Sequence, residues 1–324
     1  MYDDTKNARK IKSRDYNNEG KYPIIDQSSK NVISYTDEID GLYKDVPVII
    51  FGDHTRRFKL VEEPFFIGAD GTKVLKLCSS VYDYKFIYYY LLHKKIPDTG
   101  YNRHFKWVKE IEFPEIPRSI QSDIVKKFEV LNDLISSKNK LLELLDILIK
   151  SRFVEVFGIF NVNTNNHNTI KFKDLIEQNN INEEDKVWLL NLDMIKSNTG
   201  EIIEKVYINK QNIPTSSIAF KKGTVLYSKL RPYLNKVVIA DENGYGTSEL
   251  IPLNSYKNGL TAEYLAYYLR QDSFVEYIKD KVTGAKMPRV AMDILRNIDI
   301  IQPNYISQEQ FSSFVNHINK LKFA

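Results

Sequence analysis

Residues 119–157 read SIQSDIVKKFEVLNDLISSKNKLLELLDILIKSRFVEVF. The stretch holds no Gly and no Pro, and Pro117 and Gly158 bracket it. Apolar residues recur at Ile124, Leu131, Leu134, Leu141, Leu145 and Leu148, with Ile135, Leu142 and Ile149 on the adjoining stripe. Steps of three and four describe one face of an α-helix, with a seam suited to a coiled-coil partner. At 1.5 Å per residue the helix is about 57 Å long, more than one small domain covers. Its other side mixes both signs, from Lys126, Lys127 and Glu129 to Asp146 and Lys150, as a solvated flank does. The stretch predicts a mid-chain rod, and the rest of the sequence must supply what it separates.

With 324 residues there is room for a compact domain on each side. Hydrophobic content of 43% and charged content of 27% are those of an ordinary globular protein. A net charge of +4 permits a polyanionic partner without demanding one. The single cysteine, Cys78, excludes an intramolecular disulfide and a Cys-rich zinc site. The first twenty residues are too charged for a signal peptide and no apolar run reaches membrane length, so a cytoplasmic protein with no membrane partner is expected.

Residues 1–20 read as a polar, poorly ordered edge. From Lys21 to Leu77 the runs YPII, NVISYT, VPVIIFG, RRFKL, PFFIG and TKVLKL are strand-like and are separated by turn residues. VYDYKFIYYYLLHK predicts a helix with an aromatic packing face, and KEIEFPEIP a strand leading into the rod. After an Asn-rich linker come a short helix FKDLIEQ and strands around VWLLNL, EIIEKVYI, GTVLYSKL and KVVIA. One helix, TAEYLAYYLRQDSFVEYIKDKV, then a strand RNIDIIQP and a last helix complete the chain. The halves look alike. Phe51 and Tyr227 are 176 apart, Tyr84 and Tyr264 180, and Pro117 and Pro303 186, which is the slow drift of a duplicated unit acquiring loop insertions.

The chemical inventory is sparse. There is no phosphate loop, dinucleotide turn, nucleophile elbow or His pair at metal spacing, and the five His read as scattered surface residues. Gln302-Pro303-Asn304-Tyr305 lacks the second proline of an amino-methyltransferase motif, and spacings such as Asp83-x-Lys85 or Glu184-x-Lys186 are ordinary in a charged chain. No catalytic residue and no metal site are expected. Basic loops stand out instead at equivalent places. The first half has His54, Thr55, Arg56, Arg57 and Lys59, then Asn102, Arg103 and His104 with Lys106. The second has Lys229, Arg231, Asn235 and Lys236, then Lys286 and Arg289. Arg, Lys and Asn contact phosphates and also read base edges, so these loops are the candidate DNA-binding residues. Against this stands a non-catalytic coiled-coil scaffold that does not contact DNA.

KGTVLYSKLRPYLNKVVIA, TGAKMPRVAMDILRNIDIIQPNYISQEQF and the weaker TGYNRHFKWVKEIEFPEIPRSIQSDIV together make the chain resemble the specificity subunits of type I restriction–modification systems, the methylase-S family. The resemblance implies an α+β fold: two similar α/β target-recognition domains separated by a long coiled-coil-forming helix. The expected boundaries are 1–118, 119–157, 158–306 and a short helix at 307–324. Each domain would read one half of a bipartite site in double-stranded DNA. The rod would set their spacing, and Ile124, Leu131, Leu134, Leu141, Leu145 and Leu148 would form the partner-binding face. Methyltransferase subunits would carry S-adenosylmethionine and the chemistry, leaving no cofactor on this chain, and a restriction subunit could join them. The chain departs from the family at both ends, with a terminal helix of about 18 residues against about 39 in the rod. A trimmed subunit is therefore expected, its uncovered seam completed by methyltransferase helices or by a second specificity chain.

Overall fold

The computed structural model describes all residues except 101, 165, 178–179, 182–184, 257–258 and 323–324. The chain divides into two compact units, Met1–Ser137 and Lys138–Ala324, with the boundary inside the long helix.

The first unit is built around the strand Val48–Gly52, apolar at four successive positions because both of its faces are buried. Ile49 and Phe51 pack with Phe86, Ile87 and Leu91 of α1 (Tyr84–His93), while Val48 and Ile50 pack with Val61, Phe65 and Val74. Phe58–Val61 returns beside it as a hairpin. Thr72–Lys76 pairs on its other side, and Tyr2–Asp3 closes the sheet. A second sheet joins Ser34–Thr36, Tyr22–Ile25 and Phe66–Ile67. The first twenty residues are thus part of the fold: Ala8 and Ile11 are core residues, and the Tyr43 hydroxyl donates to Asp4 over 2.7 Å. Isolated among charges, two apolar residues give no periodicity to read. The sequence KEIEFPEIP is also not a strand. Its first residue ends α2 (Phe105–Lys109), and residues 110–117 run without a ladder into α3 (Arg118–Phe157).

In the second unit, Val225–Ser228 plays the part of Val48–Gly52. Val225 and Tyr227 face one core, Leu226 the other, and Val237–Ile239 returns as the hairpin. Leu250–Leu253 pairs on its other side; Pro252 and the short length hid this strand in the sequence. A four-stranded sheet holds Val206–Asn209, Lys186–Leu190, Gly244–Gly246 and Ile218–Phe220. Asn168–Lys171 leads into α4 (Phe172–Leu175). The predicted single helix at 261–282 is two, α5 (Ala262–Arg270) and α6 (Asp272–Lys279). The break at Gln271 has no Gly or Pro to announce it; Gln271 turns its amide oxygen to the Phe160 N–H at 3.0 Å. After α7 (Met292–Arg296), Asp299–Gln302 pairs with Asn168–Lys171, and α8 (Tyr305–Lys322) packs on α5 and the last turns of α3. Among the described residues of the first unit no strand corresponds to Asn168–Lys171, and residues 110–117 pair with none.

The duplication is written in matching hydrogen bonds. Gln121 is fully buried; its oxygen accepts from Asp83 N at 2.8 Å, and its nitrogen donates to Val81 O and Ile116 O. Gln308 is fully buried too, accepting from Thr261 N at 2.9 Å and donating to Gly259 O and Pro303 O. Asp83 and Thr261 cap α1 and α5 with their own side chains. Likewise Tyr90 and Tyr268 donate to Glu112 O and Asp299 O. These pairs set the register at 178 residues across the first helix and 187 beyond it. The sequence-based pairings of Tyr84 with Tyr264 and Pro117 with Pro303 are therefore out by two and by one.

The long helix is one uninterrupted element, about 60 Å at 1.5 Å per residue. Gly158, at φ +77° with its N–H on Val154 O, stops it in the left-handed conformation that glycine tolerates. Ile124, Val125 and Phe128 pack against α1 in the first unit, where Phe128 stacks on Tyr89 at 4.9 Å. Leu145, Ile149, Phe153 and Phe157 join the core of the second. Between them Leu131, Leu134, Ile135, Leu141 and Leu144 are exposed, Leu134 by 61%, as is Leu148 beside Ile149.

Candidate nucleic-acid interface

The first basic loop of each unit is a hairpin turn. In the first unit, residues 53–57 join Val48–Gly52 to Phe58–Val61, with Gly52 N bonded to Arg57 O. Asp53, itself buried, accepts the N–H groups of His104 and Phe105 on Oδ1, both at 2.7 Å, and so caps α2 from another segment. His104 returns its Nδ1 to Asp53 O at 2.9 Å. The two basic loops of this unit thereby become one surface, which the spacing in sequence, about 50 residues, could not reveal. His104 is fully buried, not the surface residue or DNA contact expected of it.

The side chains divide accordingly. Arg57, Asn102, Arg103 and Lys106 are exposed. Lys106 lies 4.2 Å from the Trp107 ring centroid, and Asn102 donates to Thr99 O within its own loop. Arg56 is ion-paired to Asp98 at 2.8 Å, and a Gly100 N–H, followed by Arg56, holds that carboxyl below its usual range. His54 N and Thr55 Oγ1 donate to Gln27, tying the turn to the segment just after the second sheet's middle strand, Tyr22–Ile25. Lys59 is buried, and its ammonium donates to Asp26 O at 2.6 Å and to Lys30 O. Burial lowers its pKa. A cation held by two carbonyls cannot reach a phosphate; Lys59 shapes the loop rather than contacting DNA.

In the second unit the join is made by main chain. Arg231 N donates to Pro288 O at 2.8 Å, Val290 N to Lys229 O, and Leu230 bridges to Arg289. Arg231 and Lys286 are exposed and Lys229 is half-buried. Arg289 holds Glu249 through Nε and Nη2, down to 2.7 Å, which lowers the Glu249 pKa and raises that of Arg289. Lys236 donates to Leu192 O at 2.6 Å. Asn235 is buried with Nδ2 on Arg270 O at 3.0 Å, so it too is a positioning residue of the loop. Arg56 and Arg231 share a left-handed backbone, φ +59° and +47°. Each stands in the turn just after the buried strand, a correspondence that side-chain types alone conceal.

Among the described residues no cluster of His, Cys, Asp and Glu could hold a metal ion, and no helix is long and apolar enough to cross a membrane. Glu184, of the spacing noted above, lies outside the described residues, as do the last two residues of the terminal helix segment.

No family model matches the chain. It is 25% identical over 116 residues to the type I restriction enzyme EcoDI specificity subunit of Escherichia coli, covering 36% of this chain and 26% of that protein. It is 26% identical over 129 residues to the MjaIX specificity subunit of Methanocaldococcus jannaschii, covering 36% of this chain and 29% of that one. The chain thus matches between a quarter and a third of the length of these curated relatives. Among solved structures it resembles the type I restriction–modification S subunit from M. genitalium, with a TM-score of 0.56 at 14% identity over 97% of this chain and 86% of that one. A structure concerned with complex assembly and conformational transition of the type I system gives 0.53 at 15% identity over 93% and 84%. The α+β fold, with a long helix between two β-rich units, is that of the S subunits.

Proposed function

We propose that this chain is the non-catalytic DNA-recognition subunit of a type I restriction–modification complex. One observation carries it: in each unit two basic loops, distant in sequence, are fused into one surface with exposed Arg and Lys residues at its rim. Likeness in sequence and fold to specificity subunits supports the same reading. Each unit reads one half of a bipartite duplex site. Arg57 and Arg103 act in the first and Arg231 and Lys286 in the second, with Arg289 available once it leaves Glu249. The exposed leucines of α3 supply the docking face for methyltransferase helices, which bring S-adenosylmethionine and the chemistry.

Methylome sequencing of cells with and without the gene tests the whole reading: a split methylated motif appears only with the chain present. In vitro, Ala at Arg57, Arg103, Arg231 and Lys286 weakens duplex binding and lowers the salt slope by about 0.9 for each phosphate no longer neutralised. Unchanged affinity and slope would rule out these loops as the DNA-facing surface and favour a protein scaffold.

A further inference from the structure

A cavity of about 370 Å³ lies in the second unit, walled by the last turns of α3, the end of α5, the start of α6 and Asn198 and Thr199. At its wall is Arg270, only 7% exposed. Its Nη1 donates to Thr199 O at 2.9 Å, and its guanidinium carbon stands 4.5 Å from the Tyr267 ring centroid. Its Nε is buried without a hydrogen-bond partner. Gly200 packs so closely that a Cβ there would come within 2.8 Å of the guanidinium carbon. Among the described residues no carboxylate lies within 4.0 Å of it. A guanidinium stays protonated, and Asp146 on the same wall attracts it without forming an ion pair, so its burial is costly.

We propose that this cavity is a binding site for a small organic monoanion, a carboxylate on an aromatic or aliphatic body. The charge follows from the neighbours. Asp146 is paired with Lys322, and Asp272 lies 4.0 Å from Lys150. Three cations against two carboxylates leave one positive charge, and the two carboxylates repel a dianion. The body follows from the walls: Phe153, Val154, Ile159 and Tyr267 supply apolar surface beside the cation. An apolar pocket of this size with one convergent charge is the usual form of a small-molecule site. Arg270 O accepts from Asn235 of a basic loop, but ligand binding in the cavity does not rest on that loop reading DNA.

The full chain is titrated with phenylacetate and hexanoate, with phenethylamine as the cation of matching shape and phenyl phosphate as the dianion. The expected result is saturable binding of the two carboxylates by calorimetry. At ten times half-saturation the Tm rises by a few degrees, about 2–5 °C. Phenethylamine gives no shift and phenyl phosphate a smaller one. Val154→Trp, placed at an exposed helix position lining the cavity, fills it and abolishes binding with an unchanged circular dichroism spectrum. Arg270→Met abolishes it too if the variant folds. The proposal is overturned if neither carboxylate binds, if phenethylamine binds as well, or if folded Val154→Trp keeps its affinity.

Discussion

Arg57 and Lys59 are two positions apart at the mouth of one hairpin, and their side chains lead opposite lives. Arg57→Ala should leave stability within about 0.5 kcal/mol while weakening DNA binding, since it removes only an exposed cation. Lys59→Ala should cost about 1–3 kcal/mol, because it strands two carbonyls, and should leave the salt slope unchanged until the loop itself is lost. Urea denaturation beside a salt titration of duplex binding separates the two. Glu249 gives a pH test. Its pKa is depressed below the ordinary 4.5, first by the hydrogen bond from Arg289. Its contribution to stability is therefore complete above about pH 4.5 and lost as pH falls through the lower folded value. Wild-type protein should hold a stability advantage over Glu249→Gln at neutral pH that shrinks below pH 4.5. An advantage independent of pH would show that the pair does not titrate with folding. Residue types alone announced a basic loop in both cases. Which cations are free was illegible, because it turns on carbonyls and carboxylates up to 44 positions away.

At the scale of elements, the long helix was legible from residue types because an unbroken 3–4 spacing without Gly or Pro has no other regular solution. Its packing was only half legible. Ile124 and Leu145 look like Leu131 and Leu141 in sequence, yet the first two are taken up by α1 and by the second unit's core. If the exposed stripe docks methyltransferase subunits as proposed, Leu134→Asp with Leu141→Asp should leave the unfolding midpoint almost unchanged and abolish their co-purification. Retention of the partners would move their docking site off this stripe. The burial of Gln121 and Gln308 was not legible from residue type. Each makes three hydrogen bonds that hold the start of a helix to the loop before it. Gln121→Ala or Gln308→Ala should each cost about 2–4 kcal/mol, read by chemical denaturation, as three buried groups lose their partner at once. A cost below 1 kcal/mol would mean that water replaces the amide. The strand expected at KEIEFPEIP failed for a tertiary reason: a strand needs a neighbour, and among the described residues the second unit alone supplies one, in Asn168–Lys171.

Over the whole molecule, each of two copies of one plan joins its own pair of basic loops by different means, an aspartate cap in one and a main-chain bridge in the other. If each copy reads its own half-site, Arg57→Ala should relax one half of the methylated motif and Arg231→Ala the other. Relaxation of both halves by either change would contradict separate readers. The duplication was visible in composition and order, but its register needed the hydrogen-bond frame of Gln121 and Gln308. Arg231 carries a last consequence. A non-glycine residue at φ +47° sits in a backbone well that costs about 1–2 kcal/mol relative to glycine. A laboratory selection for heat tolerance alone should therefore enrich Arg231→Gly, whereas one that also demands a methylated target should purge it. The two libraries, sequenced side by side, would pull one codon in opposite directions.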